Sequence, residues 1–200
     1  MHTRKWSEAL CRGSGNPVFD TQHTFRKLLY AMSYPGRIVT VESELEAPNG
    51  ISIAAAAICL TLLDYETPLW SDLPTTSEAV EWVRFHCGCP MTTDPFGGSL
   101  ALVTRPWKLH SLRDFRLGTD YCPEDSATLI FQVVEMGTNK GMRLNGPGIY
   151  GTTYFEVKDF PKHLWAERKQ LEELYPRGLD FIFCCERAVV AIPRTTRIGG

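Results

Sequence analysis

Arg194, Thr195, Thr196 and Arg197 stand in a row near the end of this 200-residue chain, and together they could hold an oxyanion. A guanidinium offers paired donors to phosphate or carboxylate, and threonine hydroxyls add single ones. If the segment stays extended, Arg194 and Thr196 share one side while Thr195 and Arg197 share the other. The same residues also suit a solvated tail or a lip that touches another protein. Asp180, at the entry to an apolar run, is costly to bury alone. Arg177 and Arg194 are its natural partners, and a structural ion pair is the expectation.

Other constellations carry less. Gly146, Gly148 and Gly151 have the spacing of a dinucleotide fingerprint, but the following Thr152-Thr153-Tyr154-Phe155-Glu156-Val157 favours a strand where that motif needs a helix. Pro147 also removes a backbone donor from any phosphate cradle. Gly146 and Gly148 instead mark a tight turn whose backbone can approach a ligand or a neighbouring subunit closely. His86-Cys87-Gly88-Cys89 falls short of the four ligands zinc usually needs, and His2, His23, His110 and His163 form no matching cluster, so no metal site is expected. Asp64 and Glu66 read better as a solvated helix end than as an acid–base pair. The polar loop Gly118 to Ser126 could build a binding site, although Asp120 and Ser126 could equally serve turn and cap duties. No Gly-x-Ser-x-Gly elbow, phosphate-cradling Gly-rich loop before Lys-Ser or Lys-Thr, or cluster-binding cysteine run is present. No catalytic residue is assigned.

The lip follows two apolar runs, Leu179 to Cys185 and Ala188 to Ile192, neither of which alternates with polar residues. Such runs suit strands covered on both faces, and Pro193 should end the second. Upstream, Phe25, Leu28, Leu29 and Met32 recur at helical spacing between Asp20 and Ser33, with Asp20 or Thr21 as the N-cap and Pro35-Gly36 as the stop. Arg37 to Val41 reads as a short strand. Ile51 to Leu63 is apolar nearly all round and predicts a buried helix, packed on a sheet or a second subunit. Strands are expected at Thr67 to Trp70, Leu100 to Thr104 and Ala127 to Val134, the last being central. Ser77 should start a helix, with Val83 to Cys87 crossing back into strand. Pro161 opens a helix running to about Leu174, and Pro176 ends it. The alternation of strands and helices predicts an α/β fold, one domain over residues 1–200 with a mixed central sheet covered by helices and a flexible segment over residues 1–15.

Composition excludes several classes of function. With 21 basic and 23 acidic residues the formal charge is -2, which gives no electrostatic case for nucleic acid or membrane binding. The longest apolar stretch is too short to span a bilayer. The N-terminal residues lack the apolar core of a signal peptide, so the cytoplasm is the expected location. Seven cysteines in a chain with 44% hydrophobic content point to reduced thiols, not a disulfide framework.

In order along the chain, Phe25-Arg26-Lys27-Leu28-Leu29, Ala31-Met32, Pro35-Gly36-Arg37, Leu62-Leu63-Asp64 and Glu66-Thr67-Pro68 resemble the H subunit of the bacterial carbon-phosphorus lyase system, the PhnH family. Phe85-His86 with Gly88, Gly118-Thr119-Asp120 with Pro123-Glu124, Ser126-Ala127-Thr128-Leu129, Gly146-Pro147-Gly148-Ile149, Gly178-Leu179-Asp180 and Pro193-Arg194-Thr195-Thr196 continue the match. Each motif is weak alone; the ordered set, from about Phe19 to Ile198, is specific. Cys87 and Cys89 depart from that pattern.

The resemblance implies a fold like that of pyridoxal-phosphate-dependent transferases without the cofactor. It also implies a homodimer that assembles with PhnG, PhnI and PhnJ. That complex uses ATP and a phosphonate to make a ribose 1-phosphonate 5-triphosphate, in the methyl case α-D-ribose 1-methylphosphonate 5-triphosphate. On this view the chain is an accessory subunit, not catalytic when isolated, with a phosphate or phosphonate as a possible ligand. A Schiff-base cofactor needs a lysine, and Lys108 and Lys140, the lysines of the central stretch, both look like surface residues. A free-standing enzyme using a phosphate-bearing cofactor such as pyridoxal phosphate is the alternative, and a metal-binding module a third.

Overall fold

A computed structural model describes residues 17–199; the expectation of a flexible segment over residues 1–15 falls outside them. The first helix, α1 (Pro17–Ser33), buries Thr24, Leu28 and Ala31. Phe25 and Leu29, expected on that inner side, instead face outward, so α1 carries two apolar faces. Pro35 and Gly36 end it, and Gly36 takes φ +80°, a conformation that favours glycine. Strand β1 (Val39–Thr40) follows. Beyond it residues 41–46 alternate buried Val41, Ser43 and Leu45 with exposed Glu42, Glu44 and Glu46.

Helix α2 (Ile53–Leu62) starts where Ser52 Oγ accepts from the Ala55 amide at 3.1 Å. Ala54 through Cys59 are buried, and the helix packs between α1, the sheet and the next helix of its own chain. Strand β2 (Leu69–Ser71) leads through the N-cap Ser77 into α3 (Glu78–Cys87). The expected return to strand over Val83 to Cys87 is not what forms: the helix runs to Cys87, and Gly88 caps it at φ 65° with its amide on the Arg84 carbonyl. Strands β3 (Met91–Thr92), β4 (Leu100–Val103) and β5 (Thr128–Gln132) follow, then a hairpin of β6 (Met136–Asn145) and β7 (Thr153–Val157). Helix α4 (Lys162–Leu171) precedes β8 (Asp180–Cys185), β9 (Ala188–Ile192) and β10 (Arg197–Gly199).

The main sheet has seven strands in the order β1-β9-β8-β5-β4-β2-β3. Its β3, β2, β4, β5 and β8 run parallel, while β9 is reversed and pairs antiparallel with both β8 and the edge strand β1. This is the mixed central sheet expected from the sequence. Helices α1, α2 and α3 cover one face, where Ile130, Ile182 and Cys184 point. The other face receives Leu129, Phe131, Phe181 and Phe183, and is covered by α4 and a second sheet of order β10-β6-β7. Successive side chains of β5 and β8 thus enter two different cores, which is why both strands read as unbroken apolar runs. Phe131 stacks on Phe183 with ring centroids 5.3 Å apart and meets Phe160 and Phe181 edge-on; each such ring contributes about 1.5–3 kcal/mol by burial. Among the described residues, no helix is long and apolar enough to cross a membrane.

Candidate functional site

Pro193 ends β9 as expected, but the next residues are not extended. The Thr196 amide donates to the Pro193 carbonyl at 2.9 Å, closing a turn before β10. Arg194 and Thr196 therefore do not share a side: Arg194 is half-buried and Thr196 fully buried, while Arg197 is exposed. A turn forms because two carbonyls here find a common donor in the core. Arg168, on the inner face of α4 and 1% exposed, donates through Nη2 to the Pro193 carbonyl at 2.8 Å and the Thr196 carbonyl at 3.1 Å. Its guanidinium lies over the Phe181 ring at 5.7 Å. The Ile198 amide, at the start of β10, donates to Glu172 Oε1 at 2.7 Å.

Arg194 lies against Asp180. The Arg194 amide reaches Asp180 Oδ1 at 2.7 Å, and its Nε lies 3.2 and 3.1 Å from the two carboxylate oxygens. Its Nη1 donates to the Pro123 carbonyl, fastening the loop of residues 118–126 to the end of the sheet. Arg177 pairs elsewhere, with Nε 3.0 Å from Asp120 Oδ1. Thr119 Oγ1 accepts from the Cys122 amide at 2.9 Å, so this polar loop is held by its own turn as well.

A recess of about 380 Å³ opens beside the lip, lined by Asn145, Gly146, Pro147, Glu172, Tyr175, Arg194, Thr195 and Arg197. Gly146, Arg194 and Thr195, named from the sequence, meet here. Gly148, Thr196, Arg177 and Asp180 do not line it. Gly146 (φ 139°) presses on the Thr195 backbone, where an added Cβ would sit 2.9 Å from the carbonyl oxygen. Gly148 (φ 79°) presses on the end of α1, where a Cβ would sit 2.0 Å from the Ser33 carbonyl oxygen. The element after Gly151 is strand β7, so no helix N-terminus faces this turn. The recess offers the exposed Arg197 guanidinium, the Thr195 hydroxyl and the Tyr175 phenol. Asn145 accepts from Thr152 Oγ1 at 2.9 Å through its carbonyl, which turns its amide donors toward other partners. This set suits an oxyanion, with Arg197 as the charge and the Arg194 fork occupied by Asp180.

Sequence reasoning named neither Arg168 nor the recess residues Asn145 and Glu172. A signal for Arg168 was present, since Leu164, Arg168 and Leu171 fall on one helical face. An arginine in an apolar stripe announces a buried acceptor.

The other candidates have local roles. Asp64 Oδ1 accepts from the Glu66 amide at 3.0 Å and Thr67 Oγ1 at 2.7 Å; the Thr67 hydroxyl, then the Glu66 amide, hold its carboxyl below the usual range. Lys140 lies 3.6 Å from Glu156 on the exposed β6–β7 hairpin, and Lys108 is exposed. Among the described residues, no group of three or more His, Cys, Asp or Glu is placed to hold a metal ion. Burial pushes the thiols of Cys59 and Cys184 well up, and that of Cys87 to about 12. A raised thiol holds little thiolate at pH 8. Iodoacetamide at that pH is expected to label the exposed Cys122 while Cys59, Cys87 and Cys184 stay unmodified until the protein unfolds, as peptide mass spectrometry would show.

The family model described as "Bacterial phosphonate metabolism protein (PhnH)" matches residues 12–199. A relative from Rhizobium meliloti (strain 1021), the "Alpha-D-ribose 1-methylphosphonate 5-triphosphate synthase subunit PhnH", is 30% identical over 187 residues, covering 92% of this chain and 92% of its own length. The "Putative C-P lyase subunit protein HtxG" of Stutzerimonas stutzeri is 29% identical over 192 residues, covering 89% of this chain and 85% of that protein.

Proposed function

Because the chain belongs to the PhnH family of bacterial phosphonate metabolism proteins, we propose that it is an accessory subunit of the carbon-phosphorus lyase machinery. In this reading it takes part in the ATP-dependent formation of α-D-ribose 1-methylphosphonate 5-triphosphate, in the cytoplasm. The full-length match to a named synthase subunit carries the reading. It forms a homodimer and assembles with PhnG, PhnI and PhnJ, and catalysis belongs to the assembly, not to this chain alone. Its fold is kin to that of pyridoxal-phosphate-dependent transferases, used as a scaffold without the cofactor.

The recess at Asn145, Thr195 and Arg197 binds the phosphate or phosphonate group of a ligand, or an acidic group presented by a partner. Arg194, held in place by Asp180, forms part of its wall, Arg168 and Thr196 support it from beneath, and Gly146 lets the backbone close around it. The exposed guanidinium beside a hydroxyl and a phenol supports this assignment.

Co-expression with tagged PhnG, PhnI and PhnJ tests the assembly: stoichiometric copurification is expected, and its absence from a folded, soluble chain would refute the reading. The recess is tested separately. Millimolar methylphosphonate is expected to raise the melting temperature by linkage, and Arg197→Ser to remove that shift. An equal shift in both proteins would exclude the recess as the anion site.

A further inference from the structure

The outward face of the second sheet carries charge that the fold does not use. In β6, Arg143 and Asn145 stand on the side opposite the buried Leu144, and in β10, Arg197 and Gly199 stand on the side opposite the buried Ile198. Register sets Arg197 against Asn145 and Gly199 against Arg143, so these residues share one face. Tyr154 of β7, set against Arg143, joins them and is half-exposed. Arg143 and Arg197 are both exposed, and among the described residues neither has a hydrogen-bond or ion-pair partner.

The Arg143 side chain does not stand away from the sheet. It lies across Gly199, where an added Cβ would sit 3.2 Å from Nε and 3.6 Å from Nη2. A glycine at this position leaves the room that the guanidinium fills, over β10 and two residues beyond Arg197. Two residues of a strand span about 7 Å, so two cations are set along one strand at that interval. Like charges held side by side repel, and the nearby carboxylates are engaged elsewhere. Glu156 lies 3.6 Å from Lys140. Glu172 accepts from the Ile198 amide at 2.7 Å and lies 4.0 Å from Arg168. Arg197 and Asn145 also line the recess, so Arg143 extends that site instead of making a separate one.

The donor set says which anion fits. Guanidinium groups only donate, and the Asn145 carbonyl is already taken by Thr152 Oγ1 at 2.9 Å, which leaves its amide donors to present. A peptide laid here would bring amide donors of its own to a surface poor in acceptors. A chain of phosphoryl groups brings acceptors alone. With one phosphoryl group in the recess against Arg197, a later group of the same chain reaches Arg143.

We infer that Arg143, laid over Gly199, is a second anion subsite beside the recess, and that the two together bind an oligophosphate chain such as a triphosphate. The inference rests on the phosphate-binding recess proposed above and extends it from one group to a chain.

Isothermal titration calorimetry on the purified full chain, without magnesium, tests it with tripolyphosphate and orthophosphate as probes. Tripolyphosphate should bind about tenfold tighter or more, the worth of one added charged hydrogen bond. Arg143→Ser should abolish that preference and leave orthophosphate binding unchanged, because Arg143 does not line the recess. Arg197→Ser should weaken both probes. Arg84→Ser, on α3 at the other face of the main sheet, should alter neither. Adenosine triphosphate run in parallel tells a free chain from one carried on a nucleoside, since the tighter of the two names the source. Equal binding of tripolyphosphate and orthophosphate by the wild type would overturn the second subsite. So would an equal loss of tripolyphosphate binding in Arg84→Ser and Arg143→Ser, which would show attraction to positive charge in general. The two readings fail separately. A preference that survives Arg143→Ser, with orthophosphate weakened by Arg197→Ser, removes the second subsite and keeps the recess. A preference lost in Arg143→Ser, with orthophosphate untouched by Arg197→Ser, removes the recess and keeps the oligophosphate on this face.

Discussion

Gly148→Ala is expected to cost at least about 3 kcal/mol of folding stability. Two terms add: a non-glycine residue in the left-handed region costs roughly 1–2 kcal/mol, and forcing a methyl group into filled space costs about 1–3 kcal/mol. The second term is large here because the new Cβ would lie 2.0 Å from a backbone oxygen, that of Ser33, and 3.0 Å from Pro35 Cδ. A side chain could rotate away, but the end of α1 cannot. For a chain of this size the melting temperature should fall by roughly 10 °C. Gly151 makes the control: it has φ 72° with nothing within 4 Å of its added Cβ, so Gly151→Ala should show the conformational term of about 1 kcal/mol alone. Equal losses in the two variants would show that the loop moves freely off α1.

Asp180→Ala should be about as damaging, near 3 kcal/mol, for an electrostatic reason. Its side chain and that of Arg194 are 12% and 18% exposed, so removing the carboxylate leaves a mostly buried guanidinium and the Arg194 amide without their acceptor. Breaking a buried pair from one side costs about 3–5 kcal/mol, and partial exposure places this pair at the low end. Asp180→Asn keeps an acceptor for the amide and should lose less, about 1.5–3 kcal/mol, as for a hydrogen bond to a charged group. Asp180→Ala with Arg194→Met should recover part of the loss, because the unpaired charge is gone. Chemical denaturation of the wild type, Asp180→Ala, Arg194→Met and the double variant closes the cycle; a double variant as unstable as the sum of the singles would show that the two residues do not act together. Since Arg194 also holds the Pro123 carbonyl, hydrogen exchange in the loop of residues 118–126 should speed up in Asp180→Ala.

The parts of the fold legible in the sequence are those whose pattern has one physical cause. Leu179 to Cys185 read as a doubly covered strand because its side chains feed two apolar cores. Ser77 marked a helix start because a serine just ahead of an apolar helical run serves well as an N-cap. Strand β6 gave no such signal: Met136–Asn145 contains Gly137 and Gly141, two asparagines and no alternation, and its pairing with β7 shifts register between Gly137 and Met142. Its strand state is imposed by partners distant in sequence. The outward turn of Phe25 and Leu29 was hidden for a related reason, since an apolar residue at helical spacing does not say whether its own chain or another will cover it. At the site, charge type was readable and connectivity was not. Asp180 announced a cation, but the choice of Arg194 over Arg177 depends on how β9 ends. The turn at residues 193–196 depends on Arg168, some 25 positions upstream of Pro193.

The three glutamates that point outward at alternate positions after β1 bear on which ions the protein gathers. Glu42 lies 3.3 Å from Lys27 of α1, while Glu44 and Glu46 line a hollow with Gln132, Val134 and Glu186 at the ends of β5 and β8. Glu44, Glu46 and Glu186 outnumber Arg187 around that hollow, so it favours cations over anions from the surrounding solution.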